Sequence, residues 1–211
     1  MGGIFTQSGY NLMDIISALQ KDIRRGNEEQ ALYWAMELLP KFEMYLWRRL
    51  MVIANEDIGI ANPDVIVQVT MLRAQFFEFR SLGKDGTCRL IIANAILLMC
   101  RSPKARIADH LQRVVTQQWM DDQAAGMPRP IPDYAYDNHT LKGRKMGRGL
   151  DFWLDVGCEL ENPAEEVEDP YQERAEALWR AGKKAAPKWG KRRRRASGSA
   201  EDVAQLNMFV S

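Results

Sequence analysis

The sequence predicts an all-α fold, and three observations carry that expectation. Apolar residues recur three and four apart through the first 120 residues, as one buried face of a helix requires. Glycine, proline and asparagine fall between those runs, where helices start and stop. No segment sustains the period-two alternation with turn chemistry that marks a hairpin.

The elements follow in order. Leu12, Ile15, Ile16, Leu19 and Ile23 define a first amphipathic helix, stopped by Gly26. Asn27, Glu28 and Glu29 open a second, which carries Leu32, Ala35, Met36 and Leu39 and is expected to end at Pro40. A third is expected from about Phe42 to Ala54. Asn62-Pro63-Asp64 is a helix start: a capping residue, a proline at the first helical position and an acid in the first turn. That helix runs through Val65, Val69, Leu72 and Phe76 and halts near Gly83. Thr87 to Arg101 is apolar on nearly every side, which predicts the central, most buried helix. Ser102-Pro103 is expected to start another through Ile107, Leu111, Val114 and Val115.

Four regions follow from these patterns: a helical body over 1–123, an irregular extension packed on it over 124–181, a basic linker over 182–204, and a terminal peptide, 205–211. The extension begins with the proline-punctuated Ala124 to Pro132 and holds short helices around Thr140–Met146, Gly149–Val156 and Tyr171–Ala181. The linker is rich in glycine, alanine, serine and basic residues, with little to bury, and is expected to be disordered.

Charge sharpens this division. The 211 residues carry 29 Lys and Arg against 28 Asp and Glu, a net +1. Eight of the basic and two of the acidic residues lie in 183–211, leaving 21 basic and 26 acidic for residues 1–182. A mildly acidic body with a strongly basic tail suggests a tethered contact with a polyanion. Cys88, Cys100 and Cys158 form no C-x-x-C pair, and two histidines are too few for a zinc cluster. The run Leu90 to Cys100 is too short to span a bilayer, and the N-terminus lacks the pattern of a signal peptide. A cytoplasmic location away from membranes, associated with the nucleoid, is expected.

Catalytic signals are weak. No phosphate-binding G-x-x-x-x-G-K-[ST] loop is present, and no cofactor is implied. Asp133, Asp137 and His139 lie close together and admit a metal-dependent nucleic-acid enzyme as the alternative function, against helix capping and local hydrogen bonds. Glu56-Asp57 reads as a cap and ion-pair partner rather than an acid/base pair. Tyr33, Trp34, Phe42, Tyr45, Trp47, Phe76, Phe77 and Phe79 fall at helical spacing and suit core and subunit packing better than base stacking.

Binding signals are sharper. Lys188, Trp189, Lys191, Arg192, Arg193, Arg194 and Arg195 combine phosphate-neutralising charge with an aromatic able to stack on a base, and are candidate DNA contacts. Arg144, Lys145 and Arg148, in the glycine-rich turn Gly143 to Gly149, are further candidates; the alternative is a loop whose arginines hold local acids. The terminal Gln205, Leu206, Met208 and Phe209 resemble the Q-L-x-L-F peptide by which bacterial replication proteins dock on the β sliding clamp. A peptide that folds back on its own body is the alternative reading, as is a helical scaffold without DNA binding for the whole chain.

The body itself resembles a known family. Ile16 to Arg24 (I-S-A-L-Q-K-D-I-R), Gln30 to Trp34, Arg48-Arg49-Leu50, Asn55 to Pro63 (N-E-D-I-G-I-A-N-P) and Ser102-Pro103-Lys104 occur in the order found in the C-terminal domain of the replication-associated recombination ATPases. The eukaryotic Werner-helicase-interacting ATPase belongs to the same family. The likeness covers about residues 10 to 160. It implies a helical domain like the clamp-loader collar, a homo-oligomer, and association with DNA at replication forks. The family's ATPase and lid domains have no counterpart in these residues, so ATP hydrolysis is not implied for the chain, and an ATPase acting in trans becomes a possible partner. The reading is a non-enzymatic replication and recombination accessory, suited to a mobile element that borrows a host replisome.

Overall fold

A computed structural model describes residues 3–164 and 167–182. It divides into two compact units, one up to Arg129 and one from Pro130. The fold is all-α. Among the described residues the only extended pairing is an isolated bridge between Phe5 and Asn11, and no helix is long and apolar enough to cross a membrane.

In the first unit, α1 (Leu12–Arg25) starts where the Asn11 side chain accepts the Met13 N–H at 2.9 Å. It ends at Gly26, whose φ of 74° is the left-handed conformation that glycine adopts without strain. The five apolar residues expected on its inner face are all buried. The turn into α2 (Glu28–Ile53) is stapled by Asp22, which accepts from Trp34 Nε1 and Asn27 Nδ2, both at 2.9 Å.

The sequence expected α2 to end at Pro40 and a separate helix to begin at Phe42. The break is there, two residues on: Phe42 is non-helical (φ −127°, ψ 30°), and two helical segments meet at it within α2. Proline removes one backbone donor and crowds the preceding turn, which bends the helix. Leu38 before the kink and Leu46, Trp47, Leu50 and Ile53 after it enter the same core, so the two segments pack as one arm of the unit.

The pair α3 (Pro63–Ser81) and α4 (Asp85–Arg101) forms a helical hairpin closed by the turn at Gly83. Phe76 packs against Trp47, with ring centroids 5.3 Å apart and both side chains fully buried. Arg101 grips Glu28 through Nε at 2.6 Å and Nη2 at 3.1 Å, joining the end of α4 to the start of α2. That contact is the main reason the Glu28 carboxyl lies below its ordinary range. The α4 helix is buried along Cys88, Ile91, Ile92, Ala95, Ile96, Met99 and Cys100. It is not enclosed on nearly every side as expected: Leu90 is 61% exposed and Asn94 faces outward.

A second correction concerns the next helix, α5 (Ile107–Ala125), which does not start at Ser102-Pro103. Pro103 disfavours helical geometry at the residue before it, and Ser102 is extended (ψ 145°). Lys104 Nζ then donates to the Cys100 and Ser102 carbonyls, at 2.8 and 3.0 Å, holding the non-helical segment in place.

The second unit is built from short pieces: a 3-10 turn (Asp133–Ala135), α6 (Leu141–Lys145), α7 (Leu150–Phe152) running into a π-turn (Trp153–Gly157), and α8 (Gln172–Arg180).

Burial divides the cysteines. Cys88 and Cys100 are buried and Cys158 is exposed. Loss of hydration raises the Cys88 thiol and pushes Cys100 up to about 11, mainly through that burial. At pH 8 an aromatic disulfide reagent is therefore expected to titrate one thiol per native chain rapidly and three after denaturation. Two or more fast thiols in the native protein would contradict the packing of α4.

Candidate functional site

The first unit is organised around one buried carboxylate. At the end of α2 the helix widens into a π-turn (Ala54–Ile58) followed by a 3-10 turn (Gly59–Ala61), and this places Asp57 inside, its side chain 1% exposed. Arg24 Nε donates to Asp57 Oδ1 at 2.7 Å and Gln20 Nε2 to Oδ2 at 3.0 Å, both from α1. Arg106 Nε lies 3.5 Å from Oδ1, and the Ala105 N–H donates to the Asp57 carbonyl at 3.0 Å. Glu56 completes the cluster by accepting from Arg24 Nη2 at 2.8 Å and Arg106 Nη2 at 3.0 Å.

Two carboxylates thus face two guanidiniums, and every charge has an opposite partner. The pair has the ion-pairing role that its sequence context implies. The turn needs Gly59: its φ of 52° suits glycine, and a Cβ there would stand 3.4 Å from the Ala105 carbonyl oxygen.

The second unit is organised around a close backbone approach. A Cβ on Gly143 would lie 1.9 Å from the Asp137 carbonyl oxygen, so only glycine fits. Thr140 Oγ1 fastens the approach by accepting the Gly143 N–H at 3.0 Å and donating to the Asp137 carbonyl at 3.1 Å.

This arrangement separates the three basic residues of the glycine-rich turn. The Arg148 guanidinium turns inward: Nη1 donates to the carbonyls of Asp133 (2.7 Å) and Tyr136 (3.1 Å), and Nη2 to Asp133 Oδ2 (2.5 Å). It also sits 4.1 Å from the centroid of the Phe152 ring. Arg144 and Lys145 stay exposed, with no ion pair among the described residues.

The residues of the metal reading are engaged locally. Asp133 holds Arg148, while Asp137 accepts the His139 N–H at 2.8 Å and lies 3.1 Å from His139 Nδ1. The His139 side chain is the main reason the Asp137 carboxyl lies below its usual range. Among the described residues no three His, Cys, Asp or Glu side chains gather as a metal site would need.

The apolar surface of the first unit lies mostly outside the aromatic stripe. Trp47 and Phe76 are core; Trp34, Phe42, Phe77 and Phe79 pack partly against it; Tyr33 and Tyr45 reach the surface. On α5, by contrast, no side chain is buried. Ile107, Leu111, Val114 and Val115 fall within about 100° around the helix axis, and all are exposed. Of the partly covered residues Asp109 and Thr116 lie on the opposite side and Asp122 on the same side, and none of the four apolar residues enters the core. A groove of about 790 Å³ runs between α3 and α4 and is flanked by Val67, Met71, Leu72, Leu97 and Leu98. The amphipathic spacing of α5 was legible in the sequence; nothing in that spacing told an inward face from an outward one. The tail candidates Lys188, Trp189, Lys191, Arg192, Arg193, Arg194, Arg195, Gln205, Leu206, Met208 and Phe209 lie outside the described residues.

Comparison with known proteins agrees with the family resemblance of the sequence. Residues 26–162 match the family described as MgsA AAA+ ATPase C terminal. Replication-associated recombination protein A of Bacillus subtilis is 32% identical over 145 residues, covering 66% of this chain and 31% of that protein. The Escherichia coli K12 protein of the same name is 34% identical over 155 residues, covering 70% and 32%. ATPase WRNIP1 of Dictyostelium discoideum is 22% identical over 151 residues, covering 71% of this chain and 16% of its own length. The chain spans about a third of the length of the bacterial relatives. It belongs to the MgsA C-terminal family.

Removing one partner from a buried ion cluster leaves the others without compensation, at about 3–5 kcal/mol. Arg24→Ala, which leaves the buried Asp57 carboxylate only Gln20 and the longer Arg106 contact, is expected to lower the unfolding free energy by up to that order in urea titrations, with Asp57→Ala losing less because Arg24 and Arg106 keep Glu56. An Arg24→Ala protein with wild-type stability would show that the junction does not hold the unit together.

Proposed function

We propose that the chain is a non-enzymatic accessory of DNA replication and recombination, which self-associates through its first unit and reaches a sliding clamp and DNA through its C-terminal tail. The observation that carries this reading is the match of residues 26–162 to the C-terminal domain of a family whose named relatives are replication-associated recombination proteins. An exposed apolar face on α5 supports self-association, because a surface of that kind stays soluble by being covered. An ATPase acting in trans is a further partner that this reading proposes. The second unit contributes Arg144 and Lys145 as auxiliary phosphate contacts, while Arg148 shapes the turn that presents them.

Clamp docking rests on the terminal peptide. Leu206 and the Met208-Phe209 pair are large apolar side chains at the end of a polar tail, and Gln205 offers an amide for the rim of a pocket. Each buried side chain contributes about 1.5–3 kcal/mol, which after ordering costs leaves a contact in the micromolar range. Purified β clamp is expected to be retained by the full chain and lost on removal of residues 205–211 or on joint replacement of Leu206 and Phe209 by alanine. Retention undiminished by the double substitution overturns clamp docking.

The DNA contact is electrostatic. Replacing Lys191 through Arg195 with neutral residues is expected to weaken binding and flatten its dependence on salt by about three to five counterions. An unchanged salt slope would move the contact to Arg144 and Lys145.

A further inference from the structure

We propose that α5 is a stiff arm that pivots at Arg106, and that the Arg106 side chain is the latch holding the arm to the body formed by α1–α4. This device stands apart from self-association and clamp docking and needs neither.

The arm is closed at both of its own ends. At the start, Arg106 Nη2 donates to Asp109 Oδ2 at 2.6 Å. At the other end Gly126 (φ 65°) donates its N–H to the Asp122 and Gln123 carbonyls, and the Met127 N–H returns to Asp122. Nineteen residues rising 1.5 Å each make a rod of about 28 Å.

Along that length the arm is free of the body. No side chain of α5 is buried, and among the described residues no hydrogen bond or ion pair joins residues 110–125 to α1, α2, α3 or α4. A groove of about 620 Å³, lined by Met51 and Val52 of α2 and by Ala108 and Gln112, separates the two helices and leaves room for movement.

The fixed part of the chain stops one residue short of the arm. Lys104 Nζ binds the Cys100 and Ser102 carbonyls, and the Ala105 N–H is bonded to the Asp57 carbonyl. Arg106 comes next, at φ −95° and ψ 25°, and no side chain caps the helix that follows. A change in the torsions of this residue redirects the whole rod, as a hinge at the end of an element does.

The same residue carries the latch. Its Nη2 donates to Glu56 Oε1 on the body at 3.0 Å and to Asp109 Oδ2 on the arm, so one guanidinium staples the two together. Its Nε lies 3.5 Å from Asp57 Oδ1.

Exposure separates what opens from what stays. The Arg106 and Glu56 side chains are 41% and 25% exposed, so dissolved ions reach and screen this pair. Asp57 is 1% exposed and keeps Arg24 and Gln20 when Arg106 lets go. The body of the junction therefore survives the release of the arm. Beyond Gly126 the chain passes into the second unit and the tail, so the pivot sets the reach of the contacts proposed for them.

Pulsed dipolar spectroscopy between two spin labels reads the swing. The labels sit on Glu29→Cys, at an exposed position of α2, and on Met120→Cys, near the tip of the arm, in a full chain that also carries Cys158→Ser. Cys88 and Cys100 are buried, and an excess of unlabelled wild-type chain keeps each measured distance within one molecule. At about 0.01 M salt a single narrow distance distribution is expected. At about 1 M salt, where the screening length falls to about 3 Å, it is expected to broaden or shift by about 10 Å, the travel of the tip when the rod turns through about 20°. Arg106→Gln is expected to show the broad distribution at both salt concentrations, with helix content by circular dichroism unchanged.

A narrow distribution that survives Arg106→Gln at low salt overturns the latch. A wild-type distribution that ignores salt, or is already broad without it, overturns it as well. Broadening accompanied by a loss of helix content shows α5 melting instead of pivoting, and overturns the arm.

Discussion

The Asp57 carboxylate is the fixed point from which the first unit is arranged. It is buried, and a buried charge is tolerated only where opposite charges and hydrogen bonds surround it. Those partners come from α1 (Gln20, Arg24) and from the start of α5 (Arg106), elements far apart in the chain. The surroundings therefore have to converge. The π-turn aims the side chain inward, Gly59 lets the backbone turn beneath Ala105, and Pro63 starts α3 immediately afterwards. Hydrophobic burial supplies most of the driving force for packing α1, α2 and the α3/α4 hairpin together, but it is not directional. The charge cluster is directional, and it sets how α5 leaves the body.

Much of this was legible in the sequence, for identifiable reasons. Periodicity gave α1 its five core residues, because a helix that buries one face writes that face every three or four positions. Gly26 and Pro63 marked boundaries because their backbone restrictions act locally whatever surrounds them. Pro40 announced a break for the same local reason. Its local penalty leaves two helical segments that meet at the non-helical Phe42, and apolar residues on both sides share one core. The start of α5 was misplaced because Pro103 looks like a first-turn proline, whereas the segment Ser102–Arg106 serves to bring Ala105 and Arg106 to Asp57.

The second unit shows a different limit. Arg144, Lys145 and Arg148 are alike in sequence: basic side chains in a glycine-rich turn. Only the path of the backbone separates them. Because Gly143 touches the Asp137 carbonyl, the chain after it curls so that Arg148 meets two carbonyls, one carboxylate and an aromatic face, while its neighbours point to solvent. Asp133 and His139 show the same effect. Close spacing suggested a shared ligand, but each finds its partner at short range and in a different direction. Residue type sets what chemistry is available; the backbone decides whether it is spent inside the unit or offered outside.

That distinction bears on α5 as well. A helix of 19 residues with no buried side chain gains little from the core that it adjoins, whereas most helical stability in proteins comes from packing an amphipathic face. What holds it is concentrated at its first turn: the salt bridges of Arg106 to Glu56 and Asp57, and the Arg106–Asp109 pair at 2.6 Å. The far end depends on local contacts such as Arg129 Nη2 donating to Gln118 Oε1 at 3.0 Å. Anything that covers the apolar row of α5 therefore stabilises the helix and the complex in one step, since ordering and burial draw on the same side chains. The helix is anchored at one end by charge, and the structure leaves the remainder of its stability to whatever covers its outer face.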